Sequence, residues 1–310
     1  MTSFWRRLWL GPLAALLLVY GAFALLAPDT FAGAINLATM VRQTVVVALT
    51  ALGMTFVILL GGIDLSVGSA VALTSVVVAR ALQSGVPPAG AAALGVLTPV
   101  LAGLCSGALV TRLKITPFIA TLGGMTVLRG IAKGLAGEQK IDADPRGLDS
   151  LMSSGPGASL PAAVFLALGL ALAGAVLLHK SVLGRHVVAI GSNTDAALLC
   201  GVPVQRVTLI VYALAGALTG VAGVLEYSTL TVGDPTDSLG LELEAIAAVV
   251  IGGGSLAGGQ GSIAGSMLGA LLMTVIQTGC THVGVPNWVQ EIVTGAIIVA
   301  AVSIDRLRRR

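Results

Sequence analysis

The sequence predicts an all-α integral membrane protein: a polytopic bundle of about ten transmembrane helices, N-in/C-in, forming a single membrane domain over residues 1–310. Three observations carry that reading. Only 10% of the 310 residues are charged, 56% are hydrophobic, and the mean hydropathy is +0.98. Soluble domains carry about 25% charged residues, so a water-facing surface could not be built from this chain. Apolar stretches also recur at the length a bilayer demands, and basic residues fall mostly on one side of them.

A hydrocarbon core of about 30 Å needs roughly 20 mostly apolar residues per helix. Stretches that meet this requirement run over 8–27, 37–60, 66–82, 89–111, 116–136, 161–179, 207–225, 241–257, 261–280 and 288–304. The third, eighth and ninth adjoin glycine-rich breaks. Ten spans starting from a cytoplasmic N-terminus put 11 of the 17 Lys and Arg residues in inside segments. The opposite-face loops hold only Lys140 and Arg146. That asymmetry is the positive-inside pattern. Arg129 and Lys133 approach an outer helix end, where snorkelling accounts for them.

The first span also resembles a signal peptide, with Arg6 and Arg7 ahead of an apolar run. The run is long for a signal core and no small-x-small site closes it, which favours a retained helix. Glycine pairs at four-residue spacing (Gly103/Gly107, Gly130/Gly134, Gly216/Gly220, Gly254/Gly258, Gly261/Gly265, Gly265/Gly269) predict close helix contacts. The three cysteines are odd in number and far apart, so no disulfide framework is expected. The three histidines have no metal-ligand spacing. No cofactor is expected, and nothing in the charge pattern calls for nucleic acid.

Two loops are long. Residues 137–160 lie outside and carry Glu138, Asp142, Asp144 and Asp149. Residues 180–206 lie inside and contain a helix predicted over 194–200. Asn193 is its N-cap, Asp195 sits in the positive first turn, and Gly201 stops it ahead of Pro203. Ala196 and Ala197 keep one side slim, while Leu198 and Leu199 offer apolar surface. Such a helix either packs back on the bundle or docks a cytoplasmic partner.

Inside the spans, Gly61 and Gly62 break the second helix, and Asp64 and Ser66 follow. Asp64 either caps the next helix or lines a pathway. Gln43, Thr44, Thr50 and Thr55 are pore-lining candidates on the preceding helix, although membrane Thr often bonds its own backbone. Glu242 and Glu244 open the eighth span, suited to the positive helix end or to gating an outer mouth.

The run GGGSLAGGQGS at 252–262 lacks the lysine of a phosphate loop, and no GK[ST] occurs anywhere. No hydrolytic motif or clustered His/Cys set appears either. ATP hydrolysis and membrane-enzyme chemistry are therefore not expected of this chain. An ion-coupled carrier would bury ionisable residues near the midplane, whereas the acids here fall at predicted span ends.

Four segments resemble the ribose/xylose-type permease family of ABC importers. They are GMTFVILLGGIDLSVGSAVAL at 53–73, TPFIATLGGMTVLRGIA at 116–132, GRHVVAIGSNTDAALLCGV at 184–202, and EAIAAVVIGGGSLAGGQGSIAGSMLGAL at 244–271. They stand in the family's order across most of the chain. The resemblance implies an inner-membrane permease subunit that moves a monosaccharide inward and has no ATPase site of its own. It also implies three partners: a cytoplasmic ATP-binding subunit, a periplasmic sugar-binding protein and a second permease chain. Coupling to the ATPase would fall on Gly191, Asn193, Asp195, Ala196, Ala197 and Gly201. Substrate passage or gating would fall on Gly61, Gly62, Asp64, Ser66, Gln43, Thr44, Thr55 and Glu242. The segment 133–155 departs from the family pattern, which leaves the exact substrate open, whereas Cys200 in place of the usual serine is a mild swap that changes little. Related ABC permeases move nucleosides or branched-chain amino acids, and these are the alternative, ahead of an ion-coupled secondary transporter.

Overall fold

A span-length apolar run in a bilayer satisfies all of its backbone groups within itself by becoming a helix. The computed structural model, which describes residues 10–153 and 160–308, bears this out. In chain order its helices are α1 (Leu10–Leu26), the single turn α2 (Pro28–Phe31), α3 (Ala34–Leu59), α4 (Val67–Gln83), α5 (Pro88–Arg112) and α6 (Pro117–Ala136). There follow α7 (Ala162–Lys180), α8 (Val182–Ser192), α9 (Thr194–Leu199), α10 (Val204–Leu230), α11 (Leu241–Ile251), α12 (Ile263–His282) and α13 (Asn287–Arg308). Five of these, α3, α5, α7, α10 and α12, are long and apolar enough to cross a membrane by themselves.

Helix α3 is the axis of the bundle. Sixteen consecutive residues, Thr44 to Leu59, are buried, whereas α5 and α7 expose one flank of leucines such as Leu101 and Leu172. The buried threonines of α3 turn back on their own helix: Thr44 donates to the Met40 carbonyl at 2.7 Å, Thr50 to Val46 at 3.0 Å, and Thr55 to Ala51 at 2.6 Å. Thr55 also meets the Ser266 hydroxyl at 2.7 Å, which ties α3 to α12.

Helices α5 and α10 pack closely, because their glycines let the backbones touch. A Cβ on Gly103 would stand 2.2 Å from the Tyr212 carbonyl oxygen, and one on Gly216 would stand 2.2 Å from that of Pro99. Pro99 lies inside α5 and has no N–H for the Gly95 carbonyl. The Thr74 hydroxyl of α4 approaches that carbonyl at 3.3 Å. Gly130 and Gly134 differ from expectation: nothing lies within 4 Å of a Cβ at either position.

Several boundaries correct the sequence reading. The eighth predicted span, 241–257, is an 11-residue helix that stops at Gly252 and covers about 16 Å at 1.5 Å per residue. The segment 180–206, expected inside, holds the additional helix α8 ahead of α9. The connection predicted as an inside loop at 61–65 is tucked within the bundle beside α6: Thr121 donates to the Ile63 carbonyl at 3.0 Å, and Ser66 lies against Gly124. Arg129 does not snorkel; it donates to the carbonyls of Pro235 and Asp237 at 2.9 and 2.7 Å.

The segment after α6, expected outside, is folded. Strand β1 (Ile141–Asp142) pairs antiparallel with β2 (Val232–Gly233), and a 3-10 turn follows at Leu148–Leu151. Tyr227 and Ser228 of α10 donate to the carbonyls of Ala143 and Leu148 at 2.9 and 2.6 Å. Residues 154–159 of the predicted loop, and the terminal bases before residue 10 and after 308, lie outside the described residues. Helix α1 packs on α12, with the Phe23 ring filling the space beside Gly279. Cys105, Cys200 and Cys280 are free.

Candidate functional site

At the strand end of the bundle a cavity of about 590 Å³ opens between α3, α10, α11 and α12. Polar groups come from every wall. Helix α3 contributes Asn36, Thr39, Arg42 and Gln43, and α12 contributes Thr274, Gln277, Thr278 and Thr281. These positions recur at three- and four-residue intervals, so each set forms one helical face. Glu226 and Asp237 close one side, and Glu244 of α11 closes another. The Gln277 amide donates to Glu244 at 2.6 Å, and Thr278 meets Gln43 at 3.4 Å. His282 bridges Thr30 at 3.0 Å and Asn36 at 3.2 Å at the rim.

Arg129 holds the wall segment 234–240 in place through the two carbonyls it grips. Beyond it, Lys140 and Asp234 form an ion pair of 3.0 Å beside the strands. Burial works to raise the Asp234 carboxyl, but the hydrogen bonds from Thr236 and Lys140 outweigh it and leave the group below the usual carboxylate range.

Of the predicted passage residues, Gln43 alone lines this cavity. Thr44 faces a separate apolar pocket between α3, α7 and α12, and Thr55 is fully buried on Ser266. Glu242 points away: a Cβ on Gly68 would stand 2.3 Å from its carboxylate, so it lies at the N-terminus of α4 as well as its own helix. Both positive helix ends favour an acid there. Asp64 accepts from the Ser66 amide at 2.9 Å and from the Ser66 hydroxyl at 2.6 Å, a local turn immediately before α4. Gly61 and Gly62 do end α3, Gly61 with φ +89°, and they line a second cavity of about 390 Å³ at the opposite end.

That opposite end carries α9. Asn193 caps it, accepting from the Ala196 amide at 2.9 Å; Asp195 is in its first turn, and Gly201 follows with φ +77°. Ala197 is buried, while Leu198 and Leu199 are 54% and 90% exposed. A short, capped helix therefore presents two leucines outward. Gly191, just before it, is in backbone contact with the Leu59 carbonyl and the Gly259 amide.

A model of the family described as "branched-chain amino acid transport system / permease component" matches residues 36–302. The chain belongs to that family. Within it, the ribose import permease protein RbsC of Bacillus subtilis (strain 168) is 40% identical over 96% of this chain and 92% of its own length. RbsC of Escherichia coli (strain K12) is 37% identical over 96% and 93%. The D-allose transport system permease protein AlsC of the same organism is 33% identical over 98% and 93%. No solved structure matches the chain.

In this family member the sequence reading missed most of the cavity. Arg42, Glu226, Gln277 and His282 were not singled out, and Glu244 rather than Glu242 faces the space. The signal was present: Asn36, Thr39 and Gln43, and again Thr274, Gln277, Thr278 and Thr281, form polar stripes at helical spacing.

Proposed function

We propose that the chain is the membrane-spanning permease subunit of an ABC importer that carries a monosaccharide from periplasm to cytoplasm across the bacterial inner membrane. The observation that carries this reading is the cavity at the strand end. Its hydroxyl, amide, carboxylate and guanidinium groups both donate and accept, as a neutral polyol requires, and they stand on opposing walls. The relatives named for ribose and allose transport support the same class, as does a relative named for L-arabinose. A branched-chain amino acid, the solute in the family's description, would place an aliphatic side chain among these polar stripes at a desolvation cost.

In this reading the spans number about ten, both termini are cytoplasmic, and the cavity faces outward beneath a docked sugar-binding protein. Two permease chains share the pore, and ATP is hydrolysed by a separate cytoplasmic subunit. The exposed Leu198 and Leu199 of α9 fit into that subunit, while Asn193, Asp195, Ala196, Ala197 and Gly201 fix the helix that carries them. Closure of the ATP-binding subunits then moves α9 and reverses access to the cavity.

Affinity purification of the tagged chain from detergent-solubilised host membranes tests the assignment. An ATP-binding subunit is expected to co-purify, and the accompanying binding protein is expected to take a sugar rather than leucine or a nucleoside. Intact, folded permease that repeatedly arrives without an ATP-binding subunit would overturn the reading.

A further inference from the structure

Three backbone segments far apart in sequence touch at the α9 end without a side chain between them. The Gly259 amide donates to the Leu59 carbonyl, the last residue of α3, at 2.9 Å. A Cβ on Gly191 would stand 1.8 Å from that carbonyl oxygen and 2.6 Å from the Gly259 amide. A Cβ on Gly258 would stand 2.7 Å from the Gly191 carbonyl and 3.1 Å from the Gly61 Cα. Ser192, which follows Gly191 and precedes the Asn193 cap, packs on Gly259. The loop at 252–262 is thus clasped between the end of α3 and the residues that lead directly into α9.

From that clasp the chain runs back along α11. This helix is locked to α12, because Cβ atoms on Gly265 and Gly269 would stand 2.0 and 1.9 Å from the carbonyls of Gly252 and Ala248. At its far end, about 16 Å away by helical rise, Leu241 and Glu244 enter the wall of the substrate cavity. A short helix fixed to a neighbour moves as one body, so displacement at one end appears at the other.

Resting on the permease reading above, we propose that the junction of Leu59, Gly191 and Gly258–Gly259 is the joint that transmits movement of α9, through α11, to the cavity wall at Glu244. These are positioning residues that touch no solute. Glycine at 191, 258 and 259 lets the backbones meet directly, and Gly258 and Gly259 have φ of +88° and +72°, conformations that other residues rarely adopt.

Amide hydrogen exchange on the assembled wild-type importer tests this without a mutation. Peptides covering 252–262 are expected to exchange about tenfold faster with a bound ATP analogue than without nucleotide, as the Gly259 bond to Leu59 opens. Equal exchange in both states overturns the joint. Gly191→Ala in the same complex is expected to lower solute moved per ATP hydrolysed by about tenfold. Gly216→Ala, an equally crowded packing position outside the joint, is expected to leave that ratio unchanged in whatever protein folds. Equal ratios in Gly191→Ala and wild type overturn the proposal. If wild-type importer with ATP moves no sugar, the permease reading fails instead, whereas the exchange difference follows nucleotide alone and does not depend on which solute is carried.

Discussion

The two ends of the α3–α10 core are built from different materials. The strand-end cavity is lined by side chains, with amides, hydroxyls and carboxylates on four helices facing a space of about 590 Å³. The α9 end is built from backbone, with Leu59, Gly191 and Gly258–Gly259 in contact where no Cβ fits. Side chains can be exchanged one at a time, so in the proposed importer the first end is assigned the setting of solute preference. A backbone contact admits no such variation, which suits an element common to every transport cycle. In that proposal recognition and movement are thereby separated along a single helix pair.

The comparison breaks first at its glycine contacts. Gly265→Val would drive a branched side chain into the Gly252 carbonyl. Overpacking of this kind costs about 1–3 kcal/mol, and the variant should lose most of its monodisperse peak in size-exclusion chromatography. The cavity should behave differently. Gln277→Leu removes the partner of Glu244 and is expected to raise the KM for sugar about tenfold, consistent with a charge-assisted hydrogen bond, at unchanged protein yield. A matching fall in yield would mean that Gln277 serves the fold.

Smaller effects sharpen the contrast. Asn193→Ala removes the cap of α9 and should cost about 1 kcal/mol locally. Exchange of the 194–199 amides would then rise about fivefold, with little change in the global melting temperature. The weakest effect belongs to Lys140–Asp234. Asp234 is held below its ordinary range, so its contribution is present above a pH of about 4 and is lost as pH falls through the lowered value. Lys140 is 69% exposed, which limits the pair to a few tenths of a kcal/mol after screening. Melting curves of wild type and Lys140→Ala should differ slightly at pH 7 and converge in acid.

Sequence legibility followed the same division. Span-length hydropathy located the helices, and local chemistry located the Asn193 cap, the Gly61 break and the Gly201 stop, because each depends on neighbours within a few residues. The strands β1 and β2 are two residues each and leave no alternating pattern to read. Helix α11 looked like a full span because the glycine run after it is apolar, yet Gly252 and Gly253 end it. Which acid faces the cavity was not decidable from the first turn of α11. Glu242 and Glu244 are two positions apart, and the choice rests on where Gly68 and Gln277 arrive from other helices. The clasp around Gly191 is a meeting of three distant segments, and no local pattern encodes it.

ATP-driven uptake by proteoliposomes containing the whole importer tests the central claim most directly. With ATP inside and the loaded binding protein outside, the account predicts accumulation of labelled ribose, arabinose or allose. It further predicts that Glu244→Ala lowers this uptake at limiting sugar while leaving assembly intact. Accumulation of leucine in preference to every sugar, or sugar uptake indifferent to Glu244, would contradict it.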